Sequence, residues 1–512
     1  MDPPIWRGKQ RFCKCRGRGR QQWNYEFGSF SDDIAIGVAV NATGIYVAGF
    51  TEGDLQGQIS FGFQDAFVAK IESSGSVYSY LPHLALGGGW QTTITYVNYS
   101  PQTVTCETTF YSDSGAPLSV PFGGVAASSR TDTLGPGRSI HQESTADLSA
   151  PETRGWAKVG CSGPIKASLL FRFYQQGKPT GEASVNSTTN PATEFITFAD
   201  QNTGVAYANP STQTAQITFA AFSSSGTILG SKSVSLSPGA HGASNLGPLL
   251  GLSNFSGWVD IVSTVPIVSL SLNAEAFPVF SSLPPGELAS SAGLTFYFPH
   301  LALGGGWQTT LTYINYFAQT VTCTTTFYSD TGALLLVPFG SVAVSTRTDA
   351  IAAGNSIHQE STADLNAPET RGWAKAVCSA PIKASLLFRF YQQGKPAGEA
   401  GVNAMTVPTT KFVTFADQNT GVAYANPSSQ SAELTFTAIS STGAKLASKN
   451  LPLLPGEHGA ANVGAFLGIS NFSGSIQIIS SVPIISLSLN AEAFPVVSSL
   501  PPGDLDGSTG LF

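Results

Sequence analysis

Histidines are the first candidates for a catalytic or metal site in this 512-residue chain, because imidazole is a general base and a metal ligand near neutral pH. The six histidines form two sets of three with the same spacing. In each set one histidine precedes a glutamate by two residues, as in His141 and Glu143 and in His358 and Glu360. Two such side chains on one face of a strand supply at most half of a zinc site. We therefore expect these pairs to lie in loops or at strand edges and to bind no metal.

The remaining histidines and the glycine runs offer no recognisable catalytic arrangement. His83 and His241 have no acidic or thiol neighbour in the sequence, so we expect them to be structural or exposed. Nucleophile-elbow, HExxH, P-loop and EF-hand spacings are absent from the sequence. The glycines at 87–89 and 304–306 lack the helix and the lysine of a phosphate-binding loop, and are better explained as a flexible approach to a strand. The sequence thus predicts neither an enzyme nor a cofactor.

Two tryptophans are the candidates for ligand binding. Trp90 with Gln91, and Trp307 with Gln308, follow three glycines and precede two threonines. An exposed indole at this position would present an aromatic surface to a sugar ring. The alternative is a partly buried tryptophan at the end of a β-sandwich. A recent duplication also preserves neutral positions, so the sequence leaves both interpretations open.

An internal duplication with an offset of 217 residues dominates the chain. Residues 80–286 return as residues 297–503 without insertion or deletion. A weaker repeat lies inside each copy, where residues 95–115 match residues 206–226 and one loop is about nine residues shorter in the second half. Fixed repeats of this kind indicate tandem modules. We name the four modules A1, B1, A2 and B2 in chain order.

Each module has the sequence pattern of a β-sandwich. In residues 268–275 apolar and polar side chains alternate with a period of two, which is typical of a half-buried antiparallel strand. Short runs rich in Thr, Val, Ile, Tyr and Phe are separated by Asn-Pro, Ser-Pro-Gly and Pro-Pro-Gly turns. About seven strands per hundred residues predict an all-β chain of four tandem immunoglobulin-like β-sandwiches in the order A-B-A-B.

Four cysteines predict two disulfide bonds. Cys106 and Cys161 lie in an early and a late strand of A1, 55 residues apart, and Cys323 and Cys378 repeat this arrangement in A2. The spacing predicts a bridge between the two sheets of one sandwich, with Trp156 packed against it. Closing such a loop is worth roughly 3 to 4 kcal/mol. The alternative is a pair of buried thiols; bridges would imply an oxidising compartment.

The charge distribution separates a basic N-terminal arm from an acidic body. The first 22 residues contribute +6 to the net charge of −7, which leaves −13 for the rest of the chain. Such a body does not attract nucleic acid. The arm has little apolar surface, so we expect it to be disordered, with Cys13 and Cys15 unpaired. It lacks the apolar run of a signal peptide, and no stretch of the sequence is apolar enough to span a membrane.

Residues 23–71 contain three ordered motifs that the modules lack. The sequence WNYEFGS begins at Trp23, residues 37–51 read GVAVNATGIYVAGFT, and residues 65–71 read DAFVAKI. This order resembles the bacterial β-propeller repeat of the SBBP type, although Asn41 stands where Asp is usual and Ile45 where Asn is usual. The resemblance implies one propeller-type blade in an exported bacterial surface protein. A single blade cannot close a propeller, because each blade buries its faces against neighbours.

These observations predict the domain organisation and leave three functions open. The predicted segments are a basic arm 1–22, a blade 23–79, A1 80–190, B1 191–287, a linker 288–296, A2 297–407, B2 408–504 and a tail 505–512. The first function is a non-catalytic structural or adhesive rod of an exported bacterial protein. The second is an array of carbohydrate-binding modules that use Trp90 and Trp307. The third is an accessory region of an extracellular enzyme whose catalytic domain lies elsewhere.

The expected location is the cell surface or the extracellular space. We expect extracellular polysaccharide or a cell-surface component as the partner, and no nucleic acid. Because the arm is not a signal peptide, export of the body requires a start upstream of the arm or a misassigned start.

Overall fold

The structure, a computed structural model, describes residues 33–41, 44–51, 65–71, 77–283, 286–287, 294–500 and 503–504. The chain divides into two compact units, residues 1–76 and 77–512. Predictions for the arm, for Cys13 and Cys15, for the tail and for most of the linker fall outside the described residues. Antiparallel strands dominate both units, so the prediction of an all-β chain is confirmed.

The first unit contains a three-stranded antiparallel sheet in the order β1-β2-β3. Its strands are β1 (Asp33–Asn41), β2 (Gly44–Thr51) and β3 (Asp65–Ile71). Neighbours in sequence are neighbours in the sheet, as in a propeller blade. A meander of this size also occurs in other β-proteins, so it does not by itself distinguish the predicted blade from them.

The first pair of modules begins at Val77, three residues before the predicted boundary. Module A1 contains β4 (Val77–Leu86), β5 (Trp90–Val97), β6 (Val104–Ser112), β7 (Val120–Phe122), β8 (Val125–Ala127), β9 (Ser129–Leu134), β10 (Ser139–Glu143), β11 (Thr153–Cys161), β12 (Lys166–Gln175) and β13 (Lys178–Asn186). Module B1 contains β14 (Ala192–Asp200), β15 (Gly204–Ala208), β16 (Ala215–Ser223), β17 (Ile228–Leu236), β18 (His241–Asn245), the helix α1 (Leu246–Leu250), β19 (Ser256–Asn273), β20 (Ser281–Ser282) and β21 (Gly286–Glu287).

The second pair repeats these elements. Module A2 contains β22 (Thr295–Leu303), β23 (Trp307–Ile314), β24 (Val321–Ser329), β25 (Val337–Phe339), β26 (Val342–Val344), β27 (Thr346–Ile351), β28 (Ser356–Glu360), β29 (Thr370–Cys378), β30 (Lys383–Gln392) and β31 (Lys395–Asn403). Module B2 contains β32 (Thr409–Asp417), β33 (Gly421–Ala425), β34 (Ala432–Ser440), β35 (Lys445–Leu453), β36 (His458–Asn462), the helix α2 (Val463–Leu467), β37 (Ser473–Asn490), β38 (Ser498–Leu500) and β39 (Gly503–Asp504). None of the helices in the described residues is long and apolar enough to cross a membrane.

Modules A and B share one sheet topology, which explains the weaker repeat in the sequence. In A1 the two sheets have the orders β4-β11-β6-β9 and β10-β5-β12-β13. In B1 the orders are β14-β19-β16-β17 and β18-β15-β19-β20, so the long strand β19 takes the place of both β11 and β12. The extra residues of A1 form the hairpin of β7 and β8, at a point where β16 of B1 is followed directly by β17.

Alternation of side chains directs one face of each strand into the core. In β6 the buried positions are Val104, Cys106, Thr108 and Phe110, and the residues between them are exposed or half-buried. The apolar members of this set belong to one cluster with Ile94 of β5, which lies in the other sheet. Burial of these side chains between the two sheets provides the main stabilisation of the module.

The predicted disulfide pairing is confirmed, but the predicted position of the bridge is wrong. Cys106 is bonded to Cys161, and Cys323 to Cys378. Cys106 on β6 and Cys161 on β11 lie opposite each other on neighbouring strands, so the bridge joins two strands of one sheet rather than two sheets. Trp156 is five residues before Cys161 on β11, and this odd spacing puts it on the opposite face of the sheet. It packs there against B1 instead of against the bridge.

The two modules of a pair share a continuous core. Ala206, Leu270 and Phe280 of B1 belong to the same apolar cluster as the inner faces of the A1 sheets. Leu487 and Val497 of B2 join the corresponding cluster of A2. Each pair is therefore a single packing unit and not two independent domains.

One backbone contact recurs at all four junctions between modules. In each case a carbonyl oxygen after the third long strand of one module accepts a hydrogen bond from the first amide of a strand in the next. The pairs are Asp113 with His241, Ser224 with Ser356, Asp330 with His458 and Ser441 with Ser139, at 3.1, 3.0, 3.1 and 3.2 Å. Because the last contact joins B2 to A1, the four modules form a closed ring. The predicted rod is wrong for this unit.

Hydrogen bonds to two buried ion pairs connect the two pairs of modules. Glu182 of A1 is fully buried and lies 2.9 Å from the guanidinium of Arg172. Its other carboxylate oxygen accepts hydrogen bonds from Asn490 and Ser498 of B2, at 2.9 and 2.8 Å. In the other half of the ring, Glu399 of A2 has the same arrangement with Asn273 and Ser281 of B1. Both oxygens of each buried carboxylate therefore have polar partners, as a buried charge requires.

Candidate functional site

A cleft of about 880 Å³ lies between A1 and B1, and a smaller one of about 340 Å³ lies between A2 and B2. The tryptophans predicted to bind ligand line them, Trp90 in the first and Trp307 in the second. We call these the A1-B1 cleft and the A2-B2 cleft. One wall of each is aromatic and the other is polar.

The aromatic wall of the A1-B1 cleft is built around Trp90, the first residue of β5. The Trp90 ring centre lies 4.8 Å from that of Phe173 on β12 and 5.3 Å from that of Phe280 in B1. Phe277 stands next to Phe173 with 54% of its surface exposed. Gly89 has φ +90°, and a Cβ at this position would come within 2.7 Å of the Phe173 ring. The glycines before Trp90 thus form a tight turn that fits against this wall.

The polar wall carries charges that are paired with one another. Arg154 lies 3.2 Å from Asp113 and 3.7 Å from Glu152, and it donates a hydrogen bond to the carbonyl of Ala243. Glu275, which also lines the cleft, lies 2.9 Å from Arg389 of A2. Each charged side chain of the cleft thus lies in an ion pair, and Arg154 is shared by two carboxylates.

Two histidines and an aspartate form a hydrogen-bonded chain behind the polar wall. His83 Nδ1 lies 3.1 Å from His241 Nε2, and His241 Nδ1 lies 2.7 Å from a carboxylate oxygen of Asp113. Both imidazoles are buried, so of the two expected environments, structural or exposed, the exposed one is wrong. Burial lowers the pKa of His83 well below its usual range, and the neighbouring His241 lowers it further. The hydrogen bond from His241 lowers the pKa of Asp113.

The two predicted glutamines do not line the clefts. Gln91 and Gln308 follow the tryptophans in their strands and therefore point to the other face of the sheet. Gln91 donates a hydrogen bond to the carbonyl of Ala146, and Gln308 donates one to that of Ala363. Only the tryptophan of each predicted pair belongs to a cleft.

His141 has a structural environment. Its ring stacks on Phe415 of B2 with the centres 3.9 Å apart, and its Nδ1 lies 2.8 Å from the hydroxyl of Thr95. Glu143 accepts a hydrogen bond from Tyr174. Nowhere in the described part of the chain do three or more His, Cys, Asp or Glu side chains come together as a metal site.

Asp113, Arg154 and His241 form a site that no local pattern in the sequence indicates. They are separated by up to 128 residues and come from two modules. The duplication retains all of them, as Asp330, Arg371 and His458, but it retains most other positions as well. Only the packing of A1 against B1 brings them together.

Comparison with known proteins does not identify a family. No family model matches the sequence, and no curated protein matches it. Among solved structures, the crystal structure of Thermotoga maritima 1070 is similar over 22% of this chain and 95% of that chain, with 15% sequence identity and a TM-score of 0.18.

Proposed function

We propose that this chain is a non-catalytic, adhesive protein of the cell exterior that binds an uncharged, hydroxylated ligand, such as a sugar residue of an extracellular polysaccharide, in the A1-B1 and A2-B2 clefts. The observation that carries the proposal is the duplicated cleft, in which a tryptophan and a polar wall of paired charges face the same space.

The two walls match the two kinds of surface on a sugar. A pyranose ring has an apolar face of C–H groups, which packs on an indole or phenyl ring. Its edge carries hydroxyl groups, which need donors and acceptors placed at fixed positions. Trp90 and the exposed Phe277 supply the first surface. Arg154 and Glu152 supply the second.

The ion pairs of the polar wall favour a neutral ligand. Each charged side chain in the A1-B1 cleft has an oppositely charged partner within 4 Å. An ionic ligand would have to replace one of these partners, and it would lose part of the energy that it gained. A hydroxyl group binds to the same pairs without separating them.

The external location rests on the disulfides. Bridges such as Cys106–Cys161 and Cys323–Cys378 persist in oxidising compartments. We further infer that the modules are immunoglobulin-like and that residues 23–71 are an SBBP-type blade. Pairs of antiparallel sheets around one core support the first inference, and the order β1-β2-β3 supports the second.

Isothermal titration of the full chain with cellohexaose, laminarihexaose and chitohexaose tests the proposal. We expect at least one of them to bind with two sites per chain. Trp90→Ala and Trp307→Ala should each weaken one site at least about tenfold, the loss typical of a central aromatic contact, and the double variant should weaken both. Phe317→Ala is the matched control, because it removes an aromatic ring that is 39% exposed and does not line either cleft.

Two results would contradict the proposal. Binding of none of these oligosaccharides would remove it. Binding that persists unchanged in the double tryptophan variant would place the ligand outside the clefts.

A further inference from the structure

We propose that the hydrogen-bonded chain from Asp113 through His241 fixes His83 in the tautomer whose bare Nε2 accepts a hydrogen bond from a ligand hydroxyl in the A1-B1 cleft, and that Asp330, His458 and His300 do the same in the A2-B2 cleft. This inference rests on the proposed function. It identifies the ring nitrogen, Nε2, that would select a ligand with a hydroxyl donor.

The carboxylate of Asp113 determines where the first proton lies. An ionised carboxylate only accepts hydrogen bonds, so the nitrogen of His241 that faces it at 2.7 Å, Nδ1, must carry a proton. The pKa of Asp113 is held below its usual range by this bond, which keeps the carboxylate ionised. Burial lowers the pKa of His241, so its ring is neutral and its Nε2 has no proton.

The bare Nε2 of His241 in turn determines the tautomer of His83. His83 Nδ1 lies 3.1 Å from it and must donate the proton of this hydrogen bond. A second proton on the His83 ring would place a cation in a buried site beside a second imidazole, and the pKa of His83 lies well below the usual range. His83 is therefore neutral, with its proton on Nδ1 and a bare Nε2.

The geometry of the two rings supports a hydrogen bond between them rather than stacking. Their centres are 5.2 Å apart although the two nitrogens are only 3.1 Å apart, so these nitrogens lie on the facing edges of the rings. The planes differ by 22°, which keeps the donor proton close to the plane of the accepting ring. His300 and His458 have the same centre distance, plane angle and nitrogen distance.

His83 lines the A1-B1 cleft, and His300 lines the A2-B2 cleft. Because Nδ1 is engaged by the second histidine, Nε2 is the ring nitrogen that remains for a ligand. Arg154, which lines the same cleft, donates hydrogen bonds only. An acceptor and a donor in one cleft match a ligand with one hydroxyl group or two adjacent ones, and they reject an analogue in which the hydroxyl is replaced by hydrogen.

The first part of the test uses the unliganded full chain labelled with ¹⁵N in histidine. Two-bond couplings between the ring nitrogens and ring protons report the tautomer, and His83→Gln and His300→Gln identify the signals. We expect protonated Nδ1 and bare Nε2 for both. Asp113→Ala with Asp330→Ala should release this preference and mix the two tautomers. A proton on Nε2 of His83 in the wild-type chain would overturn the inference whatever the chain binds.

The second part adds cellohexaose, laminarihexaose and chitohexaose to the same sample. A shift of the Nε2 signals of His83 and His300 with the binding isotherm supports the inference. Asp113→Ala with Asp330→Ala should then weaken binding about fivefold to tenfold, the value of one hydrogen bond. Binding that depends on Trp90 and Trp307 but leaves both Nε2 signals unmoved overturns the inference and retains the proposed function. Absence of any binding overturns both.

Discussion

Trp258 makes the junction from B1 to A2 the most informative place to test the ring. Its indole is 5% exposed, stacks on Phe222 with the ring centres 4.1 Å apart, and donates a hydrogen bond to the carbonyl of Gly354 of A2 at 2.7 Å. Trp156 and Trp373 make the same hydrogen bond, to Gly239 and to Gly456, at the two junctions within the pairs. At the junction from B2 to A1, the equivalent position is Ser475.

We expect Trp258→Ser to lower the free energy of unfolding by about 3–5 kcal/mol. Truncating a buried tryptophan costs about this much, because the apolar contacts are lost and a cavity remains. The loss of the hydrogen bond to Gly354 contributes about 1 kcal/mol of it. The ring already contains one junction with a serine at this position, so the variant should remain folded.

Urea denaturation followed by far-UV circular dichroism measures this change, since the midpoint and slope give the free energy. Ser475→Ala is the control at the equivalent position. The Ser475 hydroxyl is buried and has no hydrogen-bond partner among the described residues, so its removal should be neutral or slightly stabilising. A loss below about 1 kcal/mol for Trp258→Ser would refute the reasoning, because the indole would then not be holding B1 to A2.

Three further predictions concern the elements that stabilise the modules. Replacing Cys106 and Cys161 together by alanine should lower the free energy of unfolding by about 3–4 kcal/mol in urea denaturation, and an unchanged midpoint would contradict this. Glu182→Ala leaves the buried Arg172 without its buried partner and should cost about 3–5 kcal/mol of unfolding free energy. Glu492→Ala removes a half-exposed partner of the same arginine and should cost under about 1 kcal/mol. Equal losses would contradict the view that Glu182 is the partner that stabilises Arg172. Burial lowers the pKa of His141 and of its equivalent in A2 to about 4. As the pH falls, these histidines therefore take up protons in the unfolded chain before they do so in the folded chain. The stability present above pH 6.5 should decrease as the pH falls towards 4. Thermal melting across this range measures the decrease, and replacing both histidines by glutamine should reduce its slope.

The fold class was predictable because β-strands carry a local signal. The alternation in residues 268–275 is visible among neighbouring positions. The repeat with an offset of 217 residues is visible when the sequence is compared with itself. The pairing of Cys106 with Cys161 was predictable for the same reason, since each A module contains two cysteines. Which sheets the bridge joins depends on the strand order β11-β6, and that order is set by long-range packing.

The candidate site was predictable only in part. The position of Trp90 after three glycines singled it out, and the structure places it in a cleft. Gln91 was paired with it because the two are adjacent in sequence, but adjacent residues of a strand face opposite ways. His241 reaches Asp113 only through the packing of two modules. No local pattern contains that information.

Sequence differences between A and B modules explain why the two clefts with an aspartate-histidine pair lie at alternate junctions. The backbone hydrogen bond is the same at every junction, so the ring closes by one repeated head-to-tail contact. At the junctions from A to B, this bond joins an aspartate to a histidine, and their side chains also pair, as in Asp113 and His241. At the junctions from B to A, serines such as Ser224 and Ser356 form the same backbone bond, and their short side chains cannot bridge two modules in this way. The backbone therefore builds the ring, and the side chains place the aspartate-histidine pairs at alternate junctions, which is why the expected stoichiometry is two ligands and not four.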